Sequence, residues 1–166
     1  MKRRIAIAGN GAWGPALAHV ARTAGHDVSM WSRQKSDVVS FASLDAIIVA
    51  VPAQAVRDVL TLIKPPRGIP LIISAKGIEQ KTAKFMNEVV AEVVPGALTF
   101  VLSGPSFASD VLKGLPTAVT LAAPTLAEAG EWAQALSLPT FRVYGSDDVL
   151  GVEIGGALKN VLAIAC

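Results

Sequence analysis

Gly9-Asn10-Gly11-Ala12-Trp13-Gly14 follows the short apolar run Ile5-Ala6-Ile7-Ala8 and opens the alanine-rich segment from Pro15 to Ala24. Strand, glycine turn and helix, in that order, are what a dinucleotide site requires of a chain. Gly9 lets the backbone leave the strand in a tight turn. Gly11 withholds a Cβ that would block a pyrophosphate, and Gly14 lets helix and strand pack closely. The first helical turn then aims unpaired N–H groups at the phosphates, and its dipole adds about 0.3–1 kcal/mol for a negative charge. The same residues without a ligand would make an ordinary structural turn.

Outward from this motif, β-branched runs alternate with helical segments. Strands are predicted at 4–8, 27–31, 45–51, 70–74, 98–102, 116–122 and 141–145. Helices are predicted at 14–24, 53–62, 80–93, 124–137 and 148–165, with a shorter one near 106–113. Such alternation implies an α/β fold: a Rossmann-like, doubly wound, mainly parallel sheet in a three-layer arrangement. One connection is tight. Only Ser32 to Leu44 separates the second strand from Asp45, little room for a helix and two ordinary loops, as if a normal crossover had been shortened.

Composition sets the outer bounds. A chain of 166 residues with 52% hydrophobic content suits one compact domain, so residues 1–166 are read as a single dinucleotide-binding domain. Aromatic residues make up only 5%, which suits strands covered on both faces by small-residue helices. A net charge of +2, with scattered Lys and Arg, argues against a nucleic-acid surface. The single cysteine, Cys166, excludes a disulfide framework or a cysteine metal cluster within one chain, and points to a reducing cytoplasm. Met1-Lys2-Arg3-Arg4 is followed by too few apolar residues for a signal peptide, and no run approaches the ~18 residues of a membrane span.

Nucleotide preference is written where the second strand ends. An acidic residue there would accept hydrogen bonds from the ribose hydroxyls of NAD; this chain has Trp31-Ser32-Arg33-Gln34-Lys35 instead. Asp27 stands at the wrong end of the strand to reach the ribose. Arg33, with Ser32 and Lys35, suits the 2′-phosphate of NADP through charge-assisted hydrogen bonds. The alternative is a solvated loop, and NAD stays open.

Three further segments, Val49-Ala50-Val51-Pro52, Ser74-Ala75-Lys76-Gly77-Ile78-Glu79 and Leu102-Ser103-Gly104-Pro105-Ser106-Phe107-Ala108, fall at the C-terminal ends of predicted strands. Ligands gather at that edge of open α/β sheets. Lys76 would bring a flexible cation to an anionic substrate or to the diphosphate, or else is a solvated turn residue. Gly104 and Ser106 would offer a backbone amide and a hydroxyl, or are plain turn chemistry. Gly151 to Ala165 reads as a helix whose paired Gly155 and Gly156 permit a close approach, and Lys159 is the one positive charge in it. Apolar surroundings would make Lys159 a general acid or base; the other reading is a lysine snorkelling to solvent.

Together these segments, with Gly114-Leu115-Pro116-Thr117-Ala118 and Phe141-Arg142-Val143-Tyr144, resemble the bacterial-type NAD(P)-dependent glycerol-3-phosphate dehydrogenases. The resemblance implies an oxidoreductase that reduces dihydroxyacetone phosphate to sn-glycerol 3-phosphate, reversibly, and so feeds glycerophospholipid synthesis. It implies that Gly9 to Gly14 cradle the pyrophosphate, Arg33 approaches the adenosine ribose, and Ala108 lies beside the cofactor. Lys76 would touch cofactor and substrate, Gly104 and Ser106 would line the substrate pocket, and Lys159 would be the catalytic lysine, with no metal. Two departures stand out: Ser32 to Leu44 is abbreviated, and the family's all-helical substrate domain would follow Lys159, whereas this chain ends at Cys166. The apolar surface such a domain would cover predicts self-association as a homodimer. Two other readings stay open, a nucleotide-binding module without turnover and a related reductase of another small phosphate or acid.

Overall fold

The computed structural model describes residues 1–33 and 43–165, and for 160–164 the backbone alone. Seven strands alternate with helices: β1 (Arg4–Ala8), α1 (Trp13–Thr23), β2 (Asp27–Trp31), β3 (Ala46–Val49), α2 (Val56–Ile63, entered through a 3-10 turn at Ala53–Ala55), β4 (Pro70–Ile73), α3 (Met86–Val93), β5 (Leu98–Ser103), α4 (Ala108–Leu112), β6 (Thr117–Ala122), α5 (Leu126–Leu136), β7 (Phe141–Ser146) and α6 (Val149–Ala165). They form one sheet in the order β2-β1-β3-β4-β5-β6-β7.

Alternation of side chains along each strand builds two cores, one on each face. Ile5, Ile7, Ile48, Ile72 and Phe100 face α1, α4 and α5; Ala6, Ala8, Ile47, Ile73 and Leu71 face α2 and α3. Burying one such isoleucine is worth about 1.5–3 kcal/mol. Both faces are therefore apolar, which is why these strands read as continuous hydrophobic runs rather than alternating ones. The doubly wound three-layer arrangement is the one expected.

Strands β1 to β5 run parallel, but β5 and β6 pair antiparallel, Val101 opposite Ala122 and Ser103 opposite Thr120, while β7 lies parallel to β6. The cause is the short connection after β5. Its one helix, α4, has five residues, about 7.5 Å, too short to carry the chain back to the starting edge. The chain re-enters the sheet where it left. α6 then starts at the opposite edge, packs against β5 and β6, and climbs toward the site edge. Its 17 residues span about 25 Å, more than the roughly 20 Å of a six-residue strand.

The helix expected over 80–93 is confined to Met86–Val93. Residues 79 to 84 form a looped bridge in which Glu79 and Lys84 pair antiparallel and Ala83 adopts φ +56°. Good helix formers fill this stretch, but tertiary bonds to α2 override their propensity. Gln34, Lys35 and Cys166 lie outside the described residues, as does most of the short β2–β3 connection.

Candidate functional site

Gly9 carries φ +126°, and a Cβ there would overlap the carbonyl of Ala50 at the end of β3. A Cβ on Gly14 would overlap the carbonyl of Gly9 itself, whereas one on Gly11 would meet nothing within 4 Å. The three glycines thus divide the work. Gly9 and Gly14 close the turn on itself, and Gly11 leaves open space for a ligand. The first turn of α1 has no side-chain cap, because its N-cap position is Ala12, so its N–H groups face that space without a side-chain acceptor.

Two cavities meet at this turn. One, of about 220 Å³, is bordered by Gly9, Asn10, Gly11, Trp31, Ser32 and Arg33 on one side and by Ala50 to Pro52 on the other. Its neighbour, of about 580 Å³, runs from Gly11, Ala12 and Trp13 past Ser74 to Lys76 and ends at Ser106, Phe107 and Ala108. Gly14 borders neither; it is buried beneath the turn and serves packing. Asp27 is at the far end of β2, paired with Lys2 at 2.8 Å. Arg33 reaches the rim of the smaller cavity, where its guanidinium lies 3.4 Å from Asp58. The cradle fits a dinucleotide: open space at Gly11, uncapped N–H groups, and a cation at the adenosine end.

A third cavity, of about 260 Å³, is bordered by Ser103, Gly104, Pro105, Thr120, Val152, Gly155, Gly156 and Lys159. Lys76, on the border of the larger cavity, links it to this one through Gly104. Lys76 Nζ donates to the Gly104 carbonyl at 2.7 Å, and Ser106 Oγ donates to the same oxygen at 3.4 Å. The Gly104 carbonyl is therefore occupied from within the protein. Burial lowers the Lys76 pKa from the ordinary lysine value, and the positive charge of Lys159 lowers it further. Lys159 Nζ sits 5.2 Å from the centroid of the Phe107 ring, a cation–π contact. Of the paired glycines only Gly156 is crowded: a Cβ there would lie 2.5 Å from Ser103 Oγ and 3.6 Å from Lys76 Cγ, while one on Gly155 would meet nothing within 4 Å.

Residues distant in sequence hold this arrangement. Gln54 grips the loop after Lys76, its Nε2 donating to the Ile78 carbonyl at 2.8 Å and its Oε1 accepting from Gln80 N–H at 2.9 Å. Arg57 adds a two-point pair to Glu79 at 2.8 and 2.9 Å. These bonds, with a further one from Thr82, hold the Glu79 pKa down at about 2. None of these partners was visible in the sequence, since 22 residues separate Arg57 from Glu79 and no motif joins them. Glu153 is nearly fully buried and tied to Asn87; its signal was present, a lone acid in an apolar helix. Among the described residues no His/Cys/Asp/Glu group is arranged to hold a metal, and no helix is long and apolar enough to cross a membrane.

The family described as NAD-dependent glycerol-3-phosphate dehydrogenase N-terminus matches residues 4–43 and 36–129. The chain belongs to this family. Glycerol-3-phosphate dehydrogenase (NAD(P)+) of Bradyrhizobium sp. strain BTAi1 is 48% identical over 190 positions, covering 97% of this chain and 58% of that protein. The protein of the same name from Parvibaculum lavamentivorans is 42% identical and is likewise covered over 58% of its length. Among solved structures, glycerol-3-phosphate dehydrogenase from Coxiella burnetii superposes with a TM-score of 0.88 at 32% identity, over 99% of this chain and 60% of that one. The Plasmodium falciparum enzyme, at 22% identity and a TM-score of 0.86, shows the shared fold. The chain thus spans about three-fifths of these relatives. The family match breaks into two segments that meet at residues 36–43, inside the connection singled out as short.

Proposed function

We propose that residues 1–166 are the dinucleotide-binding part of a glycerol-3-phosphate dehydrogenase, which reduces dihydroxyacetone phosphate to sn-glycerol 3-phosphate with NADPH or NADH. The observation that carries this reading is the convergence of Lys76, Gly104 and Lys159 on one edge of the sheet, beside a glycine cradle that fits a dinucleotide. When bound, the nicotinamide nucleotide supplies the hydride. Ala12, Trp13 and Ala108 border the cavity that would take its nicotinamide half.

Lys159 would give a proton to the carbonyl oxygen of the substrate as that oxygen gains negative charge, and take it back in the reverse direction. Phe107 beneath the ammonium orients it without neutralising it. Lys76, fixed on the Gly104 carbonyl, would hold the anionic end of the substrate or the diphosphate. Ser106 would line the pocket beside it. A homodimer in the cytoplasm, acting on a small molecule and not on nucleic acid, is the setting we propose. Exposed Phe107, Leu112, Leu115 and Leu158 support association, and the +2 charge and single cysteine support the rest.

The test is titration with NADPH and with NADH, followed by dihydroxyacetone phosphate while absorbance of the reduced nicotinamide is monitored. Binding with turnover upholds the reading. Binding without turnover leaves a nucleotide-binding module, turnover only with another small carbonyl compound means a related reductase, and absence of binding sinks the proposal.

A further inference from the structure

The adenosine end of the smaller cavity carries a pair of opposite charges. Arg33, after β2, borders the cavity, and Asp58, in the first turn of α2 beside the lining residue Val59, meets Arg33 just outside that border. Arg33 NH2 lies 3.4 Å from Asp58 Oδ2, with the two side chains 51% and 72% exposed. An ion pair this exposed contributes little to folding, so its partners are free to exchange each other for a ligand. The neighbouring Arg57 is not available for that exchange, because Glu79 and Glu92 occupy its guanidinium. Asp58 also sits where the positive end of the α2 dipole would otherwise attract an anion.

We propose that Asp58 is a specificity-determining residue of the nucleotide site: its carboxylate, held against Arg33, selects against a 2′-phosphate on the adenosine ribose and favours a free 2′-hydroxyl. This rests on the reading of the glycine cradle as a nucleotide site. A 2′-phosphate monoester carries about −1.5 to −2 charges at neutral pH. Seated on Arg33 it must displace the Asp58 carboxylate and then remain close to it. A ribose hydroxyl donates to that carboxylate instead. Arg33 alone would make the site prefer NADPH; Asp58 moderates that preference, so that both nucleotides are accepted.

At this exposure a charge–charge repulsion over about 6 Å, partly screened by salt, corresponds to roughly a 3- to 10-fold change in affinity. The experiment measures Kd for NADPH and NADH by calorimetry in the wild-type chain, in Asp58→Asn and in Asp58→Asn with Arg33→Ala, at two salt concentrations. Adenosine 2′,5′-bisphosphate and adenosine 5′-monophosphate serve as minimal probes. Asp58→Asn is expected to tighten NADPH and the bisphosphate about 3- to 10-fold and to leave NADH and the monophosphate within twofold. The gain shrinks at high salt and vanishes with Arg33→Ala. An unchanged ratio of NADH to NADPH affinities in Asp58→Asn, with far-UV circular dichroism unchanged, overturns the proposal. So does an equal shift for both nucleotides, which would mark a structural role. If the wild-type chain binds neither nucleotide, the reading of the site itself has failed.

Discussion

Glu153 on α6 accepts a hydrogen bond from the backbone N–H of Asn87, in the first turn of α3, at 3.0 Å. Its other oxygen, Oε2, is buried without a partner among the described residues. This bond ties the helix that carries Lys159 to the helix that closes the Lys76 loop. It lies one turn before Gly156, where α6 presses on Ser103 and on the stem of Lys76.

Burial raises the Glu153 pKa above the ordinary carboxyl value, with a smaller push from Glu88, against hydrogen bonds from Asn87 and Met86. A raised folded-state pKa means that the folded protein holds this proton more tightly than the unfolded chain does. The resulting stabilisation is complete below the ordinary carboxyl range and is lost as pH rises through the folded-state value. Glu153→Gln keeps an acceptor for Asn87 and removes the titration, so its urea midpoint should lack the decline that the wild type shows as pH rises above the ordinary carboxyl range. Glu153→Ala strands the Asn87 N–H and should cost about 1–3 kcal/mol.

Glu79 has the opposite sign. Its pKa is held down at about 2 from the usual 4.5, first by the Arg57 hydrogen bonds and then by Thr82. The stability it contributes is present above the ordinary carboxyl range and is lost as pH falls toward 2. Thermal unfolding of Glu79→Gln should therefore respond less to acid over that range than the wild type. Because Glu79 anchors the loop after Lys76, proteolysis within residues 77–85 should also be faster in the variant.

The paired glycines of α6 should respond in opposite directions. Gly155→Ala meets open space and improves helix propensity, so it should stabilise by about 0.5–1 kcal/mol. Gly156→Ala puts a methyl 2.5 Å from Ser103 Oγ and should destabilise by about 1–3 kcal/mol. Adding Ser103→Ala should recover part of that loss. Chemical denaturation of the four proteins decides the matter.

The glycine turn separates folding from binding. Gly14→Ala forces a methyl into the Gly9 carbonyl and should lower the melting temperature sharply. Gly11→Ala should melt within a degree or two of wild type, yet weaken NADPH binding about tenfold or more by filling the space of the pyrophosphate. Melting curves with and without nucleotide read both effects.

Lys159→Ala should cut kcat by about 10²- to 10⁴-fold, the usual worth of a positioned acid, while NADPH affinity stays within a few-fold. Lys76→Ala should instead raise KM for the phosphorylated substrate, because its ammonium reaches the pocket from the Gly104 carbonyl. Steady-state kinetics, with nucleotide binding measured separately, distinguishes the two lysines. Equal losses in binding and kcat for Lys159→Ala would deny it the proton-transfer role.

The central strands were legible because burial on both faces leaves runs such as Ala46-Ile47-Ile48-Val49 with no polar interruption, and β7 because its buried and exposed residues alternate. The glycine turn was legible because backbone geometry alone demands glycine at Gly9 and Gly14. The stretch 80–85 misled because its helix propensity is real but weak, and hydrogen bonds from Gln54 and Arg57 outweigh it. The reversal of β6 and β7 was hidden in the length of a single helix, α4.

By itself the chain determined its class, its order of elements and the set of residues that gather at the site edge, since periodicity, turn chemistry and local sterics act between near neighbours. Tertiary structure alone decided which of them touch. It put Lys76 on the Gly104 carbonyl, assigned the crowding to Gly156 and not to Gly155, and set Asp58 against Arg33. Those contacts join residues far apart in sequence, and their distances depend on how helices seat on the twisted sheet, which no local pattern encodes.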